Sequence, residues 1–571
     1  MTRRERWTLI LIWLGLGLLP LFVRPLWEPD EARYAEIPRE MLATGNWLTP
    51  HLNGVLYFEK PAFQYWLSAI SMRLFGLHAW AARLPLALAS AVVLWAAWRL
   101  AKRLGARRPV WAAFMAATCL LGFLVGQILT LDALFSALVV ASLVATLEAV
   151  AARMEDRPAL AWTLGAFTLM AAAFLTKGVA ALALLGPALV AALVFVKGRP
   201  ALKKAVLATA FNPWGWLLGT VLTAPWFVAV ERANPGYAWF FFIHEHIARF
   251  ATTEAQRQGA HNWILDKLYF AGILGVGLLP WLSANVLGLR RAWAFLGRRG
   301  PQAEDGGYAR WAVGATLLFI VWTFVFFSIS HSKLPPYILP VVVPLAALAC
   351  VFEREGQEGR ALARMGKELG VLALLFLGAG LAFSRNPAGG YAWILGLAAA
   401  FALLALWAHR PGALTDSGWK VLTGPRLMLG LSAALWLLVL AAQVTAGPGK
   451  SVAELVRSAP PDAQWISLGS YHQGIPFYAR TRCVVVAGTG ELAYGRDHLG
   501  AEAGRWFNDD PAALNGLADQ LRAEDPRRPV LVLATPGAWR QLPPSTRAGW
   551  VELRRSPAGV LARRKEGAPT S

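Results

Sequence analysis

Apolar runs of roughly 17 residues or more recur through the first ~450 positions, each long enough to cross a hydrocarbon core of about 30 Å. A backbone inside hydrocarbon must satisfy its own hydrogen bonds, so such runs fold as helices. The spacing predicts spans at 7–24, 80–103, 109–126, 131–151, 158–176, 179–197, 212–231, 267–289, 311–330, 335–352, 369–385, 391–409 and 426–446. The chain therefore reads as an α-helical polytopic membrane protein with about 13 transmembrane helices. A 571-residue chain that is 56% apolar is not expected to be a soluble domain. The first run follows Arg3, Arg4 and Arg6 and leaves through Val23, Arg24, Pro25, Leu26 and Trp27. With no small residues at a cleavage position, it reads as a retained helix and not a removed signal.

The net charge of +21 sits in short clusters between these runs: Lys102 to Arg108, Arg153 and Arg157, Lys197 to Lys204, Arg290 to Arg299, Arg354 to Lys367, and Arg410 to Arg426. That distribution fits cytoplasmic loops and not a nucleic-acid surface. It predicts a cytoplasmic N-terminus and, with an odd number of spans, everything after Gln443 outside. Three scattered cysteines (Cys119, Cys350, Cys483) build no disulfide framework or metal motif. The 27 tryptophans suit a membrane interface.

The expected organisation is a transmembrane catalytic domain over 1–446, with outward loops 25–79 and 232–266, followed by a small C-terminal α/β domain over 447–571. In that tail, Trp465 to Leu468, Cys483 to Ala487 and Val530 to Ala534 read as buried strands. The leucines at 514, 517 and 521 give 511–524 a helical spacing. No internal repeat is evident, which argues against transporter folds built by duplication.

The outward segments carry the residues with chemistry. Asp30 and Glu31 follow Pro29, with Arg33 three residues after Asp30 on the same helical face. Two acids at a helix start are ordinary dipole dressing, but here they stand just beyond a membrane span. Tyr57, Phe58, Glu59, Lys60 and Pro61 form a turn in which Lys60 is a cation for a phosphate or a snorkelling lysine. Asp132 is a helix cap or an intramembrane acid with a function. Lys177 is an isolated outward cation, as is Lys333, which precedes Tyr337. The second outward region holds His244, Glu245, His246 and Arg249. The i, i+2 histidines share a helix face poorly, so this segment alone does not suggest a metal site. Acids, cations and aromatics collected on one membrane face suit an anionic lipid phosphate joined to a polar group.

On these motifs the chain resembles the protein O-mannosyltransferase superfamily of GT-C glycosyltransferases, and within it the bacterial aminoarabinose transferases that modify lipid A. The acidic pair after the first span, Arg33, the Phe58-Glu59-Lys60-Pro61 turn, the Thr176-Lys177-Gly178 turn, and Ser332-Lys333-Leu334-Pro335 with Tyr337 carry the likeness. Ala62 departs from it, standing where the family usually has a second proline. The resemblance implies a GT-C fold with Asp30 as catalytic carboxylate and Asp132 as a second acid near the sugar. It also implies Arg33, Lys60 and Arg249 on the donor phosphate, Tyr57 and Tyr337 lining the site, and Tyr471 or His472 of the tail reaching it. Lys177 and Lys333 join the substrate-binding set. Glu59 and His244 match positions where related enzymes hold a divalent metal, zinc being the candidate.

The implied activity is inverting transfer of 4-amino-4-deoxy-L-arabinose from undecaprenyl phosphate to a lipid A phosphate, at the periplasmic face of the bacterial inner membrane. It would work as a monomer, with no nucleic-acid partner. Transfer of galactosamine, hexose or uronic acid to lipid A, core or protein remains open, as does a lipid flippase or a non-catalytic scaffold. The role of Asp30, as base or as orienter of the donor, also stays open.

Overall fold

The computed structural model describes residues 1–248, 263–297, 307–351, 358–383, 391–408 and 424–566. Among them, eight helices are long and apolar enough to cross a membrane: Arg3–Phe22, Ala79–Arg103, Leu131–Met154, Leu160–Lys177, Pro200–Ala233, Tyr308–Ile329, Arg364–Ala382 and Leu427–Thr445. A ninth crossing is available if the bent pair Asp266–Gly277 and Leu282–Gly297 counts as one. The chain is thus a multi-pass helical membrane protein. Where described, the predicted spans fall on mostly helical chain, and these lengths give eight or nine crossings among the described residues, so thirteen is not confirmed. Three predicted spans are shorter apolar helices, Ala180–Val196, Pro335–Val351 and Ala392–Leu406.

Two predicted spans are broken, and the breaks answer one another. The segment 109–126 is two helices, Val110–Thr118 and Leu120–Gly126, parted where Cys119 turns extended (ψ 145°). The segment 267–289 bends by 118° between Gly277 and Leu282. The Leu120 N–H freed at the first break donates to the Leu279 carbonyl at the second, 3.1 Å away. Trp281 Nε1 donates to Thr118 Oγ1 at 2.9 Å. Backbone groups lost to the helical ladder are thereby satisfied inside the protein, as a hydrocarbon setting demands.

The chain divides into two compact units. One comprises Met1–Leu21, Glu59–Gln64 and Leu84–Ala441; the other comprises Phe22–Phe58, Tyr65–Arg83 and the chain from Ala442 on. Most of the first outward loop therefore belongs with the tail.

In the second unit, β1 (His51–Leu52) and β2 (Val55–Leu56) form a small hairpin. The tail carries β3 (Gln464–Leu468), β4 (Cys483–Val486), β5 (Phe507–Asn508), β6 (Val530–Ala534), β7 (Trp550–Ser556) and β8 (Gly559–Arg564), in the order β5-β4-β3-β6-β8-β7. The first four are parallel neighbours, and β8 and β7 close one edge antiparallel. Ile466, Leu468, Val484, Val486, Val532 and Ala534 are buried under Leu514, Leu517 and Ala518 of the helix Leu514–Glu524. The expected small α/β domain is present. The three apolar strands were legible; β5, β7 and β8 were not, because they are short or rich in arginine.

The helix Asp30–Thr44 is anchored by a buried charge cluster. Arg24 and Arg83 both bond the Glu31 carboxylate, with Arg24 Nη2 and Arg83 Nε each 2.9 Å from Oε1. Arg83 also donates to the Arg24 and Pro25 carbonyls, both at 2.7 Å. Burial alone would raise the Glu31 pKa, but Arg83 and Arg24 outweigh it and hold the carboxyl at about 2. With a folded pKa below the unfolded one, its contribution is full above the ordinary glutamate value and fades as pH falls through about 2. Replacing Glu31 by Gln leaves two buried guanidiniums without a counter-charge, so Glu31→Gln should cost about 3–5 kcal/mol in stability at pH 7. Melting of the purified protein in detergent measures this; a loss under about 1 kcal/mol would remove the cluster from its anchoring role.

Candidate active site

Pro29 precedes the helix Asp30–Thr44, whose first turn holds both acids. Glu31 turns inward and is fully buried, while the Asp30 side chain is 53% exposed. Arg33 is nearly buried and its guanidinium forks between Asp30 and Glu491 of the tail. Gln473 donates to the other oxygen of Glu491. Asp30 and Arg33 thus come together as the sequence predicts. Glu491 and Gln473, in the same unit, were not anticipated because no local spacing ties them to position 33.

The neighbouring Glu28 was also missed. Its carboxylate accepts the Gly474 N–H at 2.6 Å and the Gln473 N–H at 3.0 Å. Burial pushes its pKa up to about 8, against those two donors. Raised in this way, Glu28 favours the folded unit most below the ordinary glutamate value, and that support is lost as pH rises through about 8. Tyr57 is buried in this unit and its N–H donates to the Pro50 carbonyl at 2.9 Å. Tyr471 and His472 are buried as well. The His472 ring lies 2.7 Å from Ser467 Oγ, and burial lowers its pKa to about 4. His472 is therefore committed to the tail's own packing.

The first unit gathers the remaining cations, each against an acid. Lys177, closing the helix Leu160–Lys177, places Nζ 2.5 Å from Asp132 Oδ1 at the start of the helix Leu131–Met154. The same Nζ lies 4.1 Å from the centre of the Tyr337 ring, a cation–π contact. Lys60 Nζ donates to the Glu59 carbonyl at 2.6 Å and to Glu245 Oε2 at 3.1 Å. Gln64 Nε2 donates to the Thr130 carbonyl at 3.2 Å, tying the segment after Lys60 to the turn before Asp132. Lys333 is fully buried and bonds Asp266 Oδ2 at 2.8 Å. Asp132, Lys177 and Tyr337 therefore form one cluster that the sequence predicts as separate candidates. Glu245 and Asp266 are partners it did not assign. Arg249 lies outside the described residues.

The expected metal pair fares differently. His244 Nδ1 is 3.6 Å from Glu245 Oε1, and that same carboxylate is held by Lys60. Among the described residues, no group of three His, Cys, Asp or Glu is placed to hold a metal ion. Glu59 and His244 by themselves supply two donors, fewer than the three protein ligands that zinc takes.

A family model described as dolichyl-phosphate-mannose-protein mannosyltransferase matches residues 59–228. The undecaprenyl phosphate-alpha-4-amino-4-deoxy-L-arabinose arabinosyl transferase of Aeromonas hydrophila is 34% identical over 400 residues, covering 67% of this chain and 67% of that protein. The chain belongs to that arabinosyl transferase family. The corresponding Pseudomonas fluorescens protein is 38% identical over 352 residues, covering 61% of this chain. The chain spans 59% of the length of that relative and 61% of the one from Edwardsiella ictaluri. The crystal structure of ArnT from Cupriavidus metallidurans in the apo state superposes with a TM-score of 0.77 at 25% identity, covering 98% of both chains. The same enzyme bound to undecaprenyl phosphate gives a TM-score of 0.77 at 24% identity, a likeness of fold.

Within this family member the Lys177–Asp132 pair can be tested without assaying activity. Both side chains are 13% exposed, so each alone is costly to leave in the bundle. In a double-mutant cycle of Lys177→Met and Asp132→Asn, read by melting in detergent, the double variant should lose less than the sum of the singles. The expected coupling is about 1–3 kcal/mol. Simple additivity would show that the pair does not act as a unit.

Proposed function

We propose that this protein is an inverting glycosyltransferase that moves 4-amino-4-deoxy-L-arabinose from undecaprenyl phosphate to a lipid A phosphate, at the periplasmic face of a bacterial inner membrane. The observation that carries the reading is the Asp30–Arg33 pair on the helix following the first span, in a chain of the arabinosyl transferase family.

The chemistry balances without an external reagent. The bond between the anomeric carbon and the donor phosphate breaks, and its electron pair leaves on the phosphate oxygen as undecaprenyl phosphate. An oxygen of the acceptor phosphate attacks the opposite face of the sugar, forms the new bond, and inverts configuration. The acceptor phosphate is already ionised, so the step needs no strong base. Asp30 is half-exposed and held on one side by Arg33, which leaves it to face the sugar. There it offsets positive charge developing at the anomeric carbon and orients the amino sugar.

Arg33, Lys60, Lys177 and Lys333 supply the cations that stabilise the departing phosphate, an effect strengthened where water is scarce. Each is paired with a carboxylate. A phosphate that approaches any of them exchanges with an acid or shares its cation, which favours anionic headgroups over neutral ones. Transfer of a cationic sugar lowers the negative surface charge that attracts polycationic peptides.

Asp30→Asn should lower transfer from undecaprenyl-phosphate-linked aminoarabinose to lipid A by more than about tenfold, ~1.4 kcal/mol in barrier, with the melting temperature unchanged. A variant above a tenth of the wild-type rate would remove Asp30 from the mechanism. In cells, mass spectrometry of lipid A should show one added aminopentose per site in the expressing strain and none in a deletion strain. A hexosamine, hexose or uronic acid increment would overturn the named sugar, and unchanged lipid A the acceptor. A single cysteine at Ser556, in a background lacking the native three, should react with an impermeant thiol reagent in spheroplasts, and one at Ala201 only after lysis. The reverse pattern would invert the orientation.

A further inference from the structure

The first unit contains a cavity of about 310 Å³ between the helices Leu131–Met154, Leu160–Lys177, Ala180–Ala191, Pro200–Ala210 and Pro213–Ala233. No candidate catalytic residue lines it. Its wall is apolar, and its few hydroxyls turn away toward backbone. Ser142 Oγ donates to the Ala166 carbonyl, Thr146 Oγ1 to Ser142 and Thr209 Oγ1 to Ala205. Such a wall offers water none of the several partners it needs, whereas hydrocarbon asks for none. Val190, Phe211 and Trp216 of the lining are 67%, 72% and 52% exposed, so the cavity opens sideways through a lipid-facing surface.

Charge at one end identifies what enters. The helix Pro200–Ala210 contributes Val206, Leu207, Thr209 and Ala210 to the wall, and Lys203 lies three and four residues before Val206 and Leu207, on the same face. Lys197, Lys203 and Lys204 are exposed, and the stretch 197–211 contains no acid. Trp216 Nε1 bonds the Ala210 carbonyl at 2.9 Å, fixing the corner at this mouth. The basic segment also packs on the start of the helix Tyr308–Ile329, whose N-cap Gly307 accepts from Arg199 Nη1.

We propose that this cavity is a binding site for an anionic glycerophospholipid of the leaflet bordering the basic loops. One acyl chain fills the apolar cavity, and the phosphate headgroup meets Lys203 and Lys204. The site is separate from the sugar-transfer residues and steadies the helices that carry Asp132 and Lys177.

Gly186 provides the decisive variant, because it lines the cavity and a Cβ added there meets nothing within 4 Å. A phenylalanine at that position therefore occupies the acyl site without a clash at its root. Full-length protein is delipidated in detergent, then titrated with dioleoylphosphatidylglycerol or dioleoylphosphatidylcholine and read by native mass spectrometry. The wild type should retain one phosphatidylglycerol in preference to phosphatidylcholine, and Gly186→Phe should lose it while keeping its melting temperature. Lys203→Ala with Lys204→Ala should weaken phosphatidylglycerol retention by about tenfold or more and leave phosphatidylcholine unaffected. Equal retention of the two lipids by the wild type would overturn the proposal, as would undiminished retention by Gly186→Phe. Displacement of phosphatidylglycerol by equimolar undecaprenyl phosphate would also overturn it, assigning the cavity to the polyprenyl chain. None of these outcomes bears on sugar transfer, so this proposal and that of function fail separately.

Discussion

The Glu31 carboxylate, gripped by Arg24 and Arg83, is the interaction on which the geometry around Asp30 and Arg33 depends. Arg24 stands just beyond the first span and Arg83 in the opening turns of the helix Ala79–Arg103, so one buried acid closes a loop of more than fifty residues. Successive helical residues point about 100° apart, so drawing Glu31 inward turns Asp30 outward. Two adjacent acids that look equivalent in the sequence thus acquire opposite roles. One loses its exposure and becomes structural, and the other stays half-exposed beside Arg33. Neighbouring charge, not residue type, separates them, because burial acts on Glu31 in the wrong direction and the two guanidiniums reverse it.

Opposite-charge pairing recurs at three lysines of the first unit's candidate set. Lys60 with Glu245, Lys177 with Asp132, and Lys333 with Asp266 each join two segments distant in sequence. A lone ammonium in such surroundings would be costly, and a pair is tolerable when its remaining hydrogen bonds are met. Lys60 and Lys333 meet theirs through the Glu59 and Ser330 carbonyls, and Lys177 gains the face of Tyr337. In the proposed transfer, such pairs combine stability with exchangeability, the carboxylate that neutralises a lysine giving way to a phosphate.

Sequence patterning made the fold legible where burial is uniform. Continuous apolar runs located the helices, and the strands at 465–468, 483–486 and 530–534 stood out because both of their faces are buried. β7 escaped because five of its seven residues are exposed and it carries Glu552, Arg554 and Arg555. In the candidate site, Asp30 with Arg33 could be read because i, i+3 spacing is local information. Glu491 and Gln473, more than 400 residues away, had no periodicity connecting them to Arg33. For the expected metal pair, types and order suggested ligands, and Glu245 beside His244 bonds Lys60.

The broken helices show most directly how much of a membrane fold lies beyond hydropathy. Both 109–126 and 267–289 have the length and composition of straight spans, and neither is one. A break in lipid leaves amides and carbonyls that no water can serve, so each break should be prohibitive alone. Together they are not, because Leu120 donates to Leu279 and Trp281 to Thr118. Gly122 fits the same junction, since a Cβ there would come within 2.3 Å of the Ala116 carbonyl oxygen. Hydropathy scores each segment by itself and must read both as continuous. The information that they bend resides in their pairing, as does the information that Lys177 belongs to Asp132. In this protein, patterning along the chain decides which segments enter the membrane, and polar contacts between segments decide the shape they take there.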